Sequence, residues 1–325
     1  MSPDNFKELI KPPGPNPGAS APSGRRHPVV GLAPPLRNFV WMTLGLLLCF
    51  AIPLWNLVKL AAHSEFFSYI LLIPFISFYL IWQKKEKPSL TSPSCRGMTA
   101  GFLAAGLAVL AAYWLVFRPH WKLMEDESLV VLVTSFLLLF AGICGWTLGR
   151  GFLVANAFPL AFLAFLIPIP AVAMSAIDSF LQSGSAVVAW GFFTLSGTPF
   201  VQDGLVFQLP DITLQIAPEC SGIHSSLVLF ITSLLAGHLF LRTPWRRTLF
   251  VLVVLPLGIL RNGFRVFTIG ELCVHLGPQM IDSPIHHKGG PLFFVLSLIP
   301  LFVLLVVLQR TERGGAKPKA RGTPA

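Results

Sequence analysis

"IDSFLQSGSAVVAWGFFTLSGT", residues 177–198, decides how often this chain crosses a membrane. The stretch is moderately apolar, yet it carries Asp178, Gln182, Ser183, Gly184 and Ser185. If it spans, every basic loop after it changes side. If it lies flat or re-enters, those loops stay together.

The rest of the chain makes that question sharp. Of 325 residues, 54% are hydrophobic and 12% charged, and the mean hydropathy is +0.71. Soluble domains carry about 25% charged residues, so the composition is that of a polytopic membrane protein. A net charge of +10 would suggest nucleic acid in a soluble protein. Here it reads as a topology bias, with the lipid bilayer and no nucleic acid as partner.

A spanning helix needs about 20 mainly apolar residues. Candidates lie at roughly 38–59, 66–83, 98–117, 128–147, 152–174, 222–241, 248–271 and 291–309. Lys and Arg collect in cytoplasmic loops. With about eight spans, most of the 24 basic residues fall on one side. They are Lys7, Lys11, Arg25, Arg26 and Arg37; Lys84, Lys85, Lys87 and Arg96; Arg150; Arg242, Arg246 and Arg247; and the Arg310–Arg321 cluster. That count holds only if 177–198 does not cross, so the segment is expected in the outer interface or as a re-entrant piece.

The opposite side then receives most of the acidic residues, among them Glu65, Glu127, Asp203, Asp211 and Glu219. Residues 199–219 alternate in places between apolar and polar. With turn residues at Asp203-Gly204 and Pro210-Asp211, they predict a short outer β-hairpin. The fold expected is an all-α polytopic membrane protein of about eight helices, with an interfacial helix and that hairpin before the helix at Cys220. Residues 1–36, basic and rich in Pro and Gly, read as a disordered cytoplasmic tail without a cleavable leader. Residues 37–310 form the membrane domain and 311–325 a second basic tail.

Immediately after the hairpin comes "APECSGIHSS", residues 217–226. Cys220 stands at the start of a helix entering from outside, where the helix N-terminus favours the reactive thiolate. Glu219 opposes this, and a free cysteine also suits a small packing role. Cys49 and Cys144 lie in apolar runs and fit packing, and the five cysteines show no metal-ligand spacing. In "LPLGILRNGFRVFTIGEL", residues 255–272, Arg261 and Arg265 share one helical face. Arg265 falls near the outer boundary, where snorkelling is the alternative to a catalytic role. The last outer loop, "DSPIHHKGGPLFF", holds His286 and His287, imidazoles able to exchange protons near neutral pH or to sit idle in solvent.

The topology puts Cys220, Arg265 and His286 at one boundary. A thiolate, a fixed cation and an imidazole are the parts of an acyl-transfer site. His224, four residues after Cys220, is a second candidate base or half of a metal pair that lacks a third ligand. No nucleotide loop or metal set appears, so no cofactor is expected. A transporter also carries membrane arginines and proline-broken segments such as "FLIPIP", though no internal repeat is visible. A structural envelope subunit is the third reading.

The residues resemble the exosortase/archaeosortase family of integral-membrane cysteine transpeptidases. "APECSGIHSS" is similar to that family's Cys-Ser-Gly-Ile motif, "RNGFRV" to its Asn-x-x-Arg motif, and "HHKGG" to its His-x-x-x-Gly pattern. "FFSYILLIPFISFYLIWQKK" and "GTPFVQDGLVFQLP" also match, and the likeness covers roughly residues 40–309. The resemblance implies Cys220 as nucleophile, Arg265 as cation and His286 as acid/base. It implies as substrates exported proteins with a C-terminal sorting tail: a short motif such as Pro-Glu-Pro, a transmembrane helix and a basic cluster. The chain departs from the pattern in having His287 where Asp commonly follows the His, and in the extra Arg261.

Overall fold

The computed structural model describes residues 34–84, 96–117, 125–210, 212–216, 222–282 and 290–315. The expected tail at 1–36 lies outside them except for Pro34–Leu36, which open the first helix. The second tail begins later than expected, because the last helix runs on to Gly315.

Helix α1 (Pro34–Cys49) and α2 (Ala51–His63) meet at a bend of 71°, where one span was expected. A 3-10 turn, Ser68–Leu71, leads into α3 (Ile73–Gln83). Helix α4 (Arg96–Ala112) packs on α5 (Glu125–Ala155) through glycines. A Cβ on Gly142 would lie 2.5 Å from Leu103, and one on Gly106 would lie 2.8 Å from Leu139. Small residues of this kind let membrane helices approach closely. Helix α5 kinks at Gly149, whose φ of 83° suits glycine.

The expected span 152–174 is broken. Helix α6 (Ala157–Phe162) and a 3-10 turn, Leu163–Leu166, stop before Pro168 and Pro170. Proline removes a backbone donor and holds the preceding residue extended, and Ile167 has ψ 118°.

The chain then enters α7 (Ala171–Ser196), which contains the decisive stretch. It is one continuous helix of 26 residues, long and apolar enough to cross a membrane. Its buried stripe is Leu181, Gln182, Ser185, Ala186, Ala189 and Phe193. This stripe meets α10 (Val254–Leu276) in parallel register: Gly184 against Ile259, Val188 against Gly263, Phe193 against Gly270. The interfacial assignment is therefore corrected. Gln182 and Ser185, which counted against a span, are buried between helices, where polar side chains join helices together. By length and composition six helices of the described residues can cross, or seven if the bent α1–α2 pair is one span. The expectation of about eight is not confirmed, since 68–83 and 157–166 form only shorter apolar helices.

The expected hairpin is a three-stranded antiparallel sheet, β1 (Val201–Asp203), β2 (Val206–Gln208) and β3 (Thr213–Gln215), in that order. Phe207 pairs with Gln202 on one side and Leu214 on the other. The first turn uses Gly204 at φ 57°. Phe207, Leu209, Leu214 and Ile216 pack onto Ala189 and Phe193 of α7 and Val266, Ile269 and Cys273 of α10. The sheet thus caps the far ends of this helix pair.

Helix α8 (Ile223–Phe240) starts beside Arg261 and Asn262 of α10 and runs back toward the start of that helix. It is followed by α9 (Pro244–Leu252) and later by α11 (Gly290–Gly315). The basic loops gather at the end opposite the sheet. Lys84 donates to the Ala155 carbonyl, Arg247 to the Leu241 carbonyl at 2.7 Å and Arg246 to that of Leu308 at 3.2 Å. The backbone N–H groups of Arg242 and Thr243 donate to Glu312.

Candidate active site

The three motifs meet the described structure unequally. Cys220, His286 and His287 lie outside the described residues, whereas Gly222, His224 and both arginines lie within them. The site is therefore built from the helices that flank the motifs.

Gly222 caps α8 with φ 72° and ψ 16°, a left-handed conformation that glycine adopts without strain. A side chain here would also be crowded, since a Cβ would stand 3.0 Å from Arg261 Nη2 and 3.1 Å from Asn262 Oδ1. The glycine of the Cys-Ser-Gly run is thus favoured by both backbone and space.

Arg261 holds this turn. Its Nη2 donates to the Gly222 carbonyl and to Ser226 Oγ, each at 3.2 Å. The side chain is only 7% exposed, and no carboxylate pairs with it among the described residues. Burying a lone guanidinium in a membrane helix costs about 2.5–3.5 kcal/mol even on the lenient insertion scale. These neutral acceptors offset only part of that.

Asn262 points to the other neighbour, and its Nδ2 donates to Ser185 Oγ of α7 at 3.0 Å. One dipeptide, Arg261-Asn262, therefore joins α10 to both α8 and α7. Two features allow the close approach: Gly258 admits Ser226, whose Oγ would lie 2.8 Å from a Cβ there, and Gly263 admits Val188. Arg265 lies one turn further toward the sheet, half-buried and engaged in interactions of its own. His224 is exposed at the second position of α8, its ring 5.9 Å from Phe66, so the segment between α2 and the Ser68 turn also borders the site.

The other cysteines separate by environment. Cys144 and Cys273 are buried at 1% and 0% exposure, while Cys49 is exposed on α1. Cys273, in the last turn of α10, belongs to the core under the sheet. Among the described residues no three His, Cys, Asp or Glu gather as a metal site.

Sequence reasoning found the arginine pair but missed Ser185, Ser226 and the role of Gly222. Gly222 was visible inside the quoted motif. Ser185 sat in a segment assigned to another place.

No curated protein and no solved structure matches this chain. A family model described as transmembrane exosortase matches residues 54–303, a stretch that contains the Cys220 run, the Arg261–Arg265 segment and the His286 loop. With that match across most of its length, and with the second motif docked on the turn after the first, the chain belongs to the transmembrane exosortase family.

Proposed function

We propose that the chain is a membrane cysteine peptidase or transpeptidase acting on exported proteins that end in a tripartite sorting tail. Cys220 is the nucleophile, Arg265 the cation facing the developing oxyanion and His286 the acid/base. The observation that carries this reading is the bond from Arg261 to Gly222. It ties the Asn-x-x-Arg helix to the helix that begins two residues after Cys220, as a shared site needs.

In the proposed reaction the Cys220 thiolate attacks the carbonyl carbon of a peptide bond just outside the substrate's transmembrane helix. The tetrahedral oxyanion forms beside Arg265. The C–N bond breaks, the leaving amine takes a proton from protonated His286, and a thioester remains. Water or an acceptor amine then attacks the thioester, His286 accepts the proton and the thiolate leaves. The same residues serve hydrolysis and transpeptidation, and the acceptor decides between them.

The sheet end is the outer face of the cytoplasmic membrane in this reading, with both termini cytoplasmic. The collection of basic loops at the opposite end supports it. A substrate inserted by the same rule brings its basic cluster to that end and its short motif to the site.

The test is co-expression with reporters carrying tripartite tails, read by reporter mass. Wild type should shorten the reporter and Cys220→Ala should leave it intact. Shortening that survives Cys220→Ala removes Cys220 from the mechanism.

A further inference from the structure

We propose that Arg261 is a positioning residue for the Cys220 thiol: its guanidinium clamps the Gly222 turn and fixes a positive charge beside the start of α8. The inference rests on the reading of Cys220 as nucleophile and adds a residue that the Asn-x-x-Arg motif does not include.

Three observations carry it. First, the grip is two-pronged and on one nitrogen, to the Gly222 carbonyl and the Ser226 hydroxyl at 3.2 Å each. Those acceptors are four residues apart, one helical turn, so this one nitrogen binds the capping backbone and the first turn of α8 together. Second, Arg261 is 7% exposed and its other arm, Nη1, is buried with no acceptor among the described residues. Among the described residues its partners are neutral, so a thiolate or a substrate carbonyl would suit the position facing Nη1. Third, covalent geometry limits the distance. Cys220 is two residues from Gly222, so their Cα atoms are at most about 7.6 Å apart.

A guanidinium suits this role better than an ammonium, because its planar head can hold two acceptors on Nη2 while Nη1 stays available, and it stays charged when buried. The turn it grips favours glycine, so the clamp and the motif are matched: a Cβ at 222 would press on Arg261 Nη2 and Asn262 Oδ1 at 3.0 and 3.1 Å.

The charge acts among others. Glu219 adjoins Cys220 in sequence and opposes it. Arg265 adds a second positive charge one turn along α10, and His224 lies in the first turn of α8. Glu65 stands beside Phe66, which packs on His224, while Asp178 lies about two turns before Ser185 on α7. The clamp differs from all of these in touching the turn itself.

The experiment follows alkylation of Cys220 against pH, using the full chain in proteoliposomes, a soluble maleimide and mass spectrometry of the Cys220 peptide. Wild type should titrate below the ordinary thiol value of about 8.5. Arg261→Gln, which keeps a donor but loses the charge, should raise the midpoint by about half a unit to one unit. Arg261→Lys should stay near wild type in midpoint while slowing reporter cleavage through kcat rather than KM. Arg261→His, neutral over the alkaline part of the titration, is the second uncharged form and decides the matter if the Gln variant does not fold. An unchanged midpoint in the uncharged variants, or a midpoint that moves only with Arg265→Gln, overturns the assignment. Alkylation needs no turnover, so the two readings fail separately. A chain that shows the shift but cleaves no reporter refutes the peptidase reading and keeps the clamp. A chain that cleaves without the shift does the reverse.

Discussion

The Asn262 amide donates to the Ser185 hydroxyl across 3.0 Å, joining the helix of the arginine motif to the helix whose course decides the topology. Both residues are buried, at 2% and 0% exposure. Removing one partner leaves the other unsatisfied, at a cost of about 1–3 kcal/mol in a water-soluble core. Interhelical bonds in membranes average nearer 0.6 kcal/mol. Ser185→Ala is therefore expected to destabilise by about 0.6–1.7 kcal/mol, and a double-mutant cycle with Asn262→Ala should return a coupling of that order by thermal unfolding in detergent. Additive losses would mean that the two side chains do not support one another.

That bond also explains why part of the fold was not legible. The class, the sheet before the Cys helix and the paired arginines followed from composition and spacing. The course of 177–198 did not, because Gln182 and Ser185 look like surface residues until α10 supplies their burial and, for Ser185, Asn262 as partner. The break at 167–170 was written in Pro168 and Pro170, but a hydropathy window averages across it. Spacing put Arg261 and Arg265 on one face. Which of them meets the Gly222 turn depends on the relative height of α8 and α10, and no local pattern encodes that.

Gly222→Ala is expected to reduce reporter cleavage at least tenfold, if the site is as proposed. A left-handed conformation costs an L-residue roughly 1–2 kcal/mol, and the added Cβ presses on Arg261 and Asn262, both held by hydrogen bonds. Gly191→Ala on α7 is the control, because nothing lies within 4 Å of a Cβ there. Cleavage rates in the two variants check this, and equal rates would show that the turn is not what Arg261 requires.

The parallel contact of α7 and α10 depends on Gly263 and Gly270. A Cβ at either would stand 2.5 Å from the nearest side-chain carbon, Val188 at one and Phe193 at the other. Overpacking of this kind costs about 1–3 kcal/mol. Gly270→Ala should act on the core beneath the sheet and Gly263→Ala on the helix pair nearer Asn262. Both should lower the midpoint of thermal unfolding, whereas Gly45→Ala, in open space on α1, should not. A stable Gly263→Ala chain with normal cleavage would show that α7 and α10 can separate without disturbing the site.

The two ends of the molecule should be distinguishable by labelling. Asp203, in the sheet, and Thr243, in the loop where Arg242, Arg246 and Arg247 gather, are both exposed. In right-side-out vesicles, a membrane-impermeant maleimide should reach Asp203→Cys and miss Thr243→Cys. Inverted vesicles should give the opposite pattern. The expectation follows from basic loops remaining in the cytoplasm together with the contacts that hold Arg246 and Arg247 at the end away from the sheet. Labelling of Thr243→Cys from outside would put the sheet and the Gly222 turn on the cytoplasmic side. Exported proteins could not then reach Cys220, and the sorting-tail substrate would have to be abandoned even if the cysteine proved reactive.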